Sequence, residues 1–229
     1  AVYVHDNASM TSLNMTNLIE IGGSLEIVEN SALESVGLDS LQGIGGRLYL
    51  YTNSSLQNLG NVSELLFVGE GLYIYNNSQL LSIGDLSGLE TIGRNISISS
   101  NDHLQSIGLD SLHSVGGDFS MHYNDVIQNL DSLGNLVEIA GSLSIMSNGG
   151  LLNLNGLFSL HSIGGSLSVR NNLVLSGVAM SSLNGVEEDF EVSGNTSLPT
   201  CAAQDLVDSI GLENIGGIIT IYNNAGECP

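Results

Sequence analysis

The stretch Leu18-Ile19-Glu20-Ile21-Gly22-Gly23-Ser24-Leu25-Glu26-Ile27-Val28-Glu29-Asn30-Ser31-Ala32-Leu33 decides how the chain is read. Leu25 and Ile27 point one way and Glu26 and Val28 the other, the period of a strand. A glycine pair leads into this strand and an asparagine follows it. The same arrangement recurs from end to end. Taking Leu25 as the anchor, equivalents stand at Val2, Leu48, Leu72, Ile96, Phe119, Leu143, Leu167, Phe190 and Ile219, spaced by 23 or 24 residues until a last interval of 29. A fixed period of this kind is the mark of a repeat architecture.

Around each anchor six apolar columns recur: the anchor itself, the positions 2, 8 and 11 residues after it, and those 4 and 7 before it. In one coil these are Leu48, Leu50, Leu56, Leu59, Ile44 and Leu41. The column 7 before runs from Leu18 to Leu212. One coil cannot bury such a set alone, whereas stacked coils cover one another. The expectation is an all-β parallel solenoid of about ten coils, roughly 45 Å long at the usual strand spacing. It forms a single domain over residues 1–229, with regular coils over 1–200 and a cap with the last coil over 201–229. Two further columns mark the turns. Glycine stands 3 before the anchor in most coils, where it permits positive φ or close backbone approach. Asparagine stands 5 after it in all ten: Asn7, Asn30, Asn53, Asn77, Asn101, Asn124, Asn148, Asn172, Asn195 and Asn224. An inward asparagine can bond the backbone of the next coil, so ten in register read as an asparagine ladder.

The unit L-x-x-[IV]-G-G-x-L-x-I-x-x-N-x-x-L-x-x-[ILV] resembles the leucine-rich repeat. The glycine pair and one extra residue after the asparagine make it most similar to the receptor L domain, the ligand-binding repeat of insulin and epidermal growth factor receptors. Similar repeats occur in lipid-anchored fungal cell-wall proteins and in secreted bacterial proteins. The resemblance covers the whole chain and implies a right-handed solenoid at the cell exterior. It implies no particular ligand, because fold analogy does not carry function.

Composition narrows the partners. The net charge is −21 with three Arg and no Lys. That argues against nucleic acid, whose binding needs cations to displace counterions, and against an anionic membrane surface. No apolar run is long enough to span a bilayer. The opening Ala1-Val2-Tyr3-Val4 reads as a mature form with its leader removed, or as a piece cut from a longer chain.

The ends are expected to differ. The excess of the last interval falls at Cys201–Ile210, where Ala202, Leu206, Val207 and Ile210 have helical spacing, so a short capping helix is expected. Cys201 and Cys228 sit on neighbouring coils within plausible disulfide reach, the alternative being two lone thiols. At the other end Val2, Val4, Met10 and Leu13 should show an open hydrophobic face with an unpaired strand edge, which invites end-on association.

The outward strand positions carry the candidate site. Tyr49, Tyr51, Tyr73 and Tyr75 should form one four-ring patch on adjacent coils, and exposed aromatic patches bind sugars or proteins. Tyrosine also simply suits an exposed strand. A run of Ser beside it gives a small, uncharged surface. Catalysis finds little support: the five His do not cluster, and no metalloprotease, nucleophile-elbow or phosphate-loop motif occurs. Glu187, Glu188, Asp189 and Glu191 form an acidic knot that reads as a solvated face, with weak calcium binding as the functional alternative. Glycosylation candidates are Asn14, Asn61, Asn76 and Asn95; sequons at Asn7, Asn53 and Asn195 fall in the inward ladder. The expected function is a non-catalytic extracellular or cell-surface recognition module for a glycan or protein, without cofactor or metal. The alternatives are a structural subunit of a surface layer or filament, assembling through its first coil, and an ice-binding protein.

Overall fold

The structure, a computed structural model, describes residues 1–226. Each anchor opens a four-residue strand: β1 Val2–His5, β2 Leu25–Val28, β3 Leu48–Tyr51, β4 Leu72–Tyr75, β5 Ile96–Ser99, β6 Phe119–His122, β7 Leu143–Met146, β8 Leu167–Arg170, β9 Phe190–Ser193 and β10 Ile219–Tyr222. They form one ten-stranded sheet in sequence order, parallel throughout. The register runs anchor to anchor, as Leu48 opposite Leu72 and Tyr49 opposite Tyr73. A second sheet of eight two-residue strands, from Glu20–Ile21 to Gly185–Val186, holds the apolar column that precedes the anchors. The chain is thus an all-β parallel solenoid.

Eight turns carry both sheets, fewer than the ten expected from the anchors. β1 starts at Val2 and so has no second-sheet strand ahead of it; β10 is preceded only by a single bridge, Val186 to Ile215. Between β9 and β10 the usual corner is replaced by α1, Thr200–Ile210, which buries Ala203, Leu206, Val207 and Ile210 against the core. The detour displaces the column that should have pointed inward. Leu212 is 64% exposed, whereas its equivalents from Leu41 to Leu183 are buried.

The core holds one more column than the six expected. Leu38, Val62, Leu86, Leu109, Leu133, Leu157 and Met180 are all buried, each ten residues before an anchor. They sit just beyond the corner at which coils of 23 and 24 residues differ. Val36 is followed two residues later by Leu38, but Leu59 three residues later by Val62. The extra residue is absorbed in this one outer corner. There short polar side chains close local turns, as Asn58 Oδ1 accepting from Gly60 N–H at 2.9 Å and Asn129 Oδ1 from Asp131 N–H at 3.2 Å. Both sheets therefore keep their register.

The glycine column entering the strands serves close approach, not positive φ. A Cβ on Gly45 would lie 2.5 Å from the carbonyl oxygen of Gly22 in the coil before. Positive φ occurs instead one residue before each ladder asparagine, at Asp6, Glu29, Thr52, Asn76, Ser100, Tyr123, Ser147, Asn171 and Asn223, all between 52° and 60°, and at Gly194, 69°. This left-handed residue ends each strand and turns the asparagine inward.

The asparagine ladder is continuous. Asn101 donates its backbone N–H and its Nδ2 to Asn124 Oδ1, both at 3.2 Å, and Nδ2 also reaches Ile74 O and Ser99 O at 3.1 Å. Its own Oδ1 accepts from Asn77 N–H at 3.1 Å and Nδ2 at 3.4 Å. The same pattern runs from Asn7 to Asn224. The eight asparagines from Asn30 to Asn195 are fully buried, so these bonds satisfy backbone groups that no regular sheet reaches. Asn7, expected to face inward with the rest, is exposed on the first coil although it makes the ladder bonds.

Candidate functional site

The outward residues of β3 and β4 bring the four expected tyrosines together. They sit on adjacent strands in register, all half-buried. Tyr49 is the hub. Its ring stacks on Tyr51 with centroids 6.0 Å apart and planes 8° from parallel. It meets Tyr73 at 6.4 Å and Tyr75 at 6.0 Å edge-on. Tyr73 and Tyr75 lie 6.3 Å apart and tilted. Arg47 Cζ stands 5.0 Å from the Tyr49 centroid, over the ring, a cation–π contact. The Arg47 guanidinium is held there by Glu26 Oε1, at 3.1 Å from Nε and 2.9 Å from one terminal nitrogen. Glu26 was expected to face solvent but is covered by this pair, at 9% exposure. The Tyr49 hydroxyl is pushed above its ordinary pKa, mainly by burial, then by Tyr51 and Tyr75, with Arg47 opposing.

A second polar ladder, hidden in the sequence, leads to the same place. One residue before the anchor, a short side chain accepts the N–H of its equivalent in the following coil. Ser24 Oγ accepts from Arg47 at 3.2 Å, Asn95 Oδ1 from Asp118 at 2.9 Å and Asp118 Oδ1 from Ser142 at 2.8 Å. Ser142, Ser166 and Asp189 continue it. Ser, Asn and Asp share this column, so no single letter fills it. Between its first and last members, Ala1 and Ile218, neither of which is a short acceptor, the column lacks one at two positions, Arg47 and Gly71, which belong to the two coils that carry the tyrosines. Both serve the rings. Arg47 covers Tyr49, and Gly71 makes room both for the Tyr73 ring and for the Asn95 carbonyl oxygen of the next coil, each 2.7 Å from where its Cβ would lie.

Beyond the rings the face is hydroxyl-rich. Ser120 Oγ bonds Ser97 Oγ at 2.9 Å, and His122 Nε2 lies 2.8 Å from Ser144 Oγ. Burial holds the His122 ring below its ordinary pKa. No Asp, Glu, Lys or Arg occurs in the five strands β3 to β7, although the chain carries 24 acidic residues.

The other expected sites are placed apart. Glu187, Glu188 and Asp189 are exposed, and the last two are engaged locally: Glu188 accepts from Ser166 Oγ at 3.1 Å and Asp189 from Ile218 N–H at 2.8 Å. Glu191 pairs with Arg170 at 3.4 Å. Among the described residues no group of three or more His, Cys, Asp and Glu is placed to hold a metal ion. Asn14, Asn61 and Asn76 are exposed; Asn95 is half-buried with its Oδ1 taken by Asp118 N–H. Asn53 and Asn195 are buried in the ladder. Cys201 stands half-buried in the first turn of α1, and its expected partner Cys228 lies outside the described residues. Among the described residues no helix is long and apolar enough to cross a membrane.

Compared with known proteins, the chain matches no family model, no curated protein and no solved structure.

Proposed function

We propose that this solenoid is a non-catalytic recognition module of the cell exterior that binds its partner through the outward face of β3 and β4. The observation that carries the reading is the coincidence at Arg47 and Gly71. The entry-corner ladder is given up where side-chain space and charge are needed to seat Tyr49 and Tyr73. The likeness of the repeat to the receptor L domain supports an extracellular setting, as would a Cys201–Cys228 disulfide, which intact-mass measurement with and without reductant tests. Replacing Tyr73→Ala together with Tyr75→Ala should abolish binding in a screen of glycans and cell-surface proteins while the β-sheet circular dichroism is retained. Unchanged binding by the double variant would sink the reading.

A second reading, a filament or surface-layer subunit, is favoured by Val2, Val4, Met10 and Leu13, which are only half-buried where their equivalents in the second to eighth coils are buried. A further coil of a longer chain would cover the same face. Light scattering that gives the mass of one chain at all concentrations would discard self-assembly.

A further inference from the structure

Resting on that reading, we propose that the ligand is an uncharged glycan, whose pyranose ring stacks on the outer face of Tyr73 and whose chain continues over the serines of β5 and β6.

Ring faces are the first argument. Tyr49 is crowded, because Tyr51 stacks on it and the Arg47 guanidinium sits over it. It is a positioning residue that backs the other rings. Tyr73 is different. Its ring lies over Gly71, meets Tyr49 edge-on and Tyr75 at a tilt, and has neither a parallel ring nor a cation stacked on it among the described residues. A flat, immobilised ring of this kind matches the C–H face of a sugar. Stacking there removes apolar area from water at little conformational cost, since the ring is already ordered.

Charge is the second argument. The one cation at the rings, Arg47, is neutralised by Glu26. From β3 to β7 the strands carry no Asp, Glu, Lys or Arg, in a molecule of net charge −21. An anionic glycan would meet the repulsion of a chain of net charge −21 on strands that carry no cation to offset it. A basic protein partner would find no carboxylate on these strands to pair with. An uncharged polyol needs neither. It needs hydroxyl groups that both donate and accept, and Ser97, Ser99 and Ser120 supply them beside the rings.

The intrinsic fluorescence of the chain reports on this face directly. There is no Trp, and four of the seven Tyr belong to the patch. The experiment titrates the protein with neutral hexasaccharides of glucose, mannose, galactose and N-acetylglucosamine, and with galacturonate and heparin hexasaccharides. A saturable change with at least one neutral sugar is expected at millimolar concentration, with both anionic sugars at least about tenfold weaker. Tyr73→Ser should remove the change and Tyr73→Phe, which keeps the ring, should retain it. Silence from every neutral sugar, or equal binding of an anionic one, would overturn the proposal. A purified protein ligand whose binding depends on Tyr73, with all sugars silent, would overturn it while leaving the recognition reading standing; if nothing binds through Tyr73, both fall.

Discussion

Two polar ladders climb this solenoid, and they obey different rules. At the corner leaving each large-sheet strand every coil has asparagine, fully buried from Asn30 to Asn195. At the corner entering it the column passes through Ser24, Asn95, Asp118, Ser142, Ser166 and Asp189, all partly or fully exposed, and is dropped at Arg47 and Gly71. The difference is access to water. Inside, one side chain must donate to two backbone carbonyls and accept from the neighbouring amide, and among short side chains only asparagine does both. Outside, any acceptor suffices, and water replaces it when it is absent. Strict repetition therefore belongs to the dry corner. The wet corner is free to vary, and there the molecule seats its tyrosines.

The contrast can be broken most forcefully in the middle of the dry ladder. Asn101→Ala orphans the Ile74 carbonyl and the Asn77 amide in a site without solvent. It should destabilise by about 3–5 kcal/mol in urea unfolding. A loss below about 1 kcal/mol would mean that the ladder is decorative. A smaller effect of opposite sign is expected just before the ladder. Thr52 is β-branched and held at φ 56°, so Thr52→Gly should raise stability by about 0.5–1 kcal/mol. Asp118→Ala in the wet ladder frees only the Ser142 amide at an exposed corner, and its effect should stay below about 1 kcal/mol. A loss as large as that of Asn101→Ala would erase the distinction. The smallest effect concerns pH. Burial lowers the folded-state pKa of His122. As pH falls below about 6.5 the unfolded chain takes up its proton first, so stability declines as pH drops toward the folded-state pKa and is fully present only above about 6.5. His122→Gln should flatten that part of the stability profile, measured by thermal melts between about pH 5 and 7.

Much of this was legible in the sequence because burial imposes one kind of letter. Anchors such as Leu48 and Leu72, and the asparagine column, announce both sheet register and ladder. The four tyrosines follow from the same register, since residues alternating on neighbouring in-phase strands must share a face. What escaped has physical causes too. Leu38, Val62 and Leu86 form a core column, but the length difference of one residue lies just ahead of them, so counting from the preceding anchor smears them out. The left-handed column holds Glu29, Thr52, Tyr123 and Asn171, because its backbone is imposed by the neighbouring strand and ladder and not by its own side chains. The entry ladder is written in three interchangeable acceptors. Leu212 misled because α1 swings the chain out of phase just before it.

The direction of the asparagine bonds has an electrical consequence. In every rung the backbone N–H of the asparagine points toward the next coil and the side-chain oxygen toward the previous one. Sheets contribute little net dipole, because their peptide groups alternate, but these side-chain amides add head to tail. The rod is thus polarised along its length before any charged residue is counted, with its negative pole at the first coil and its positive pole at the last.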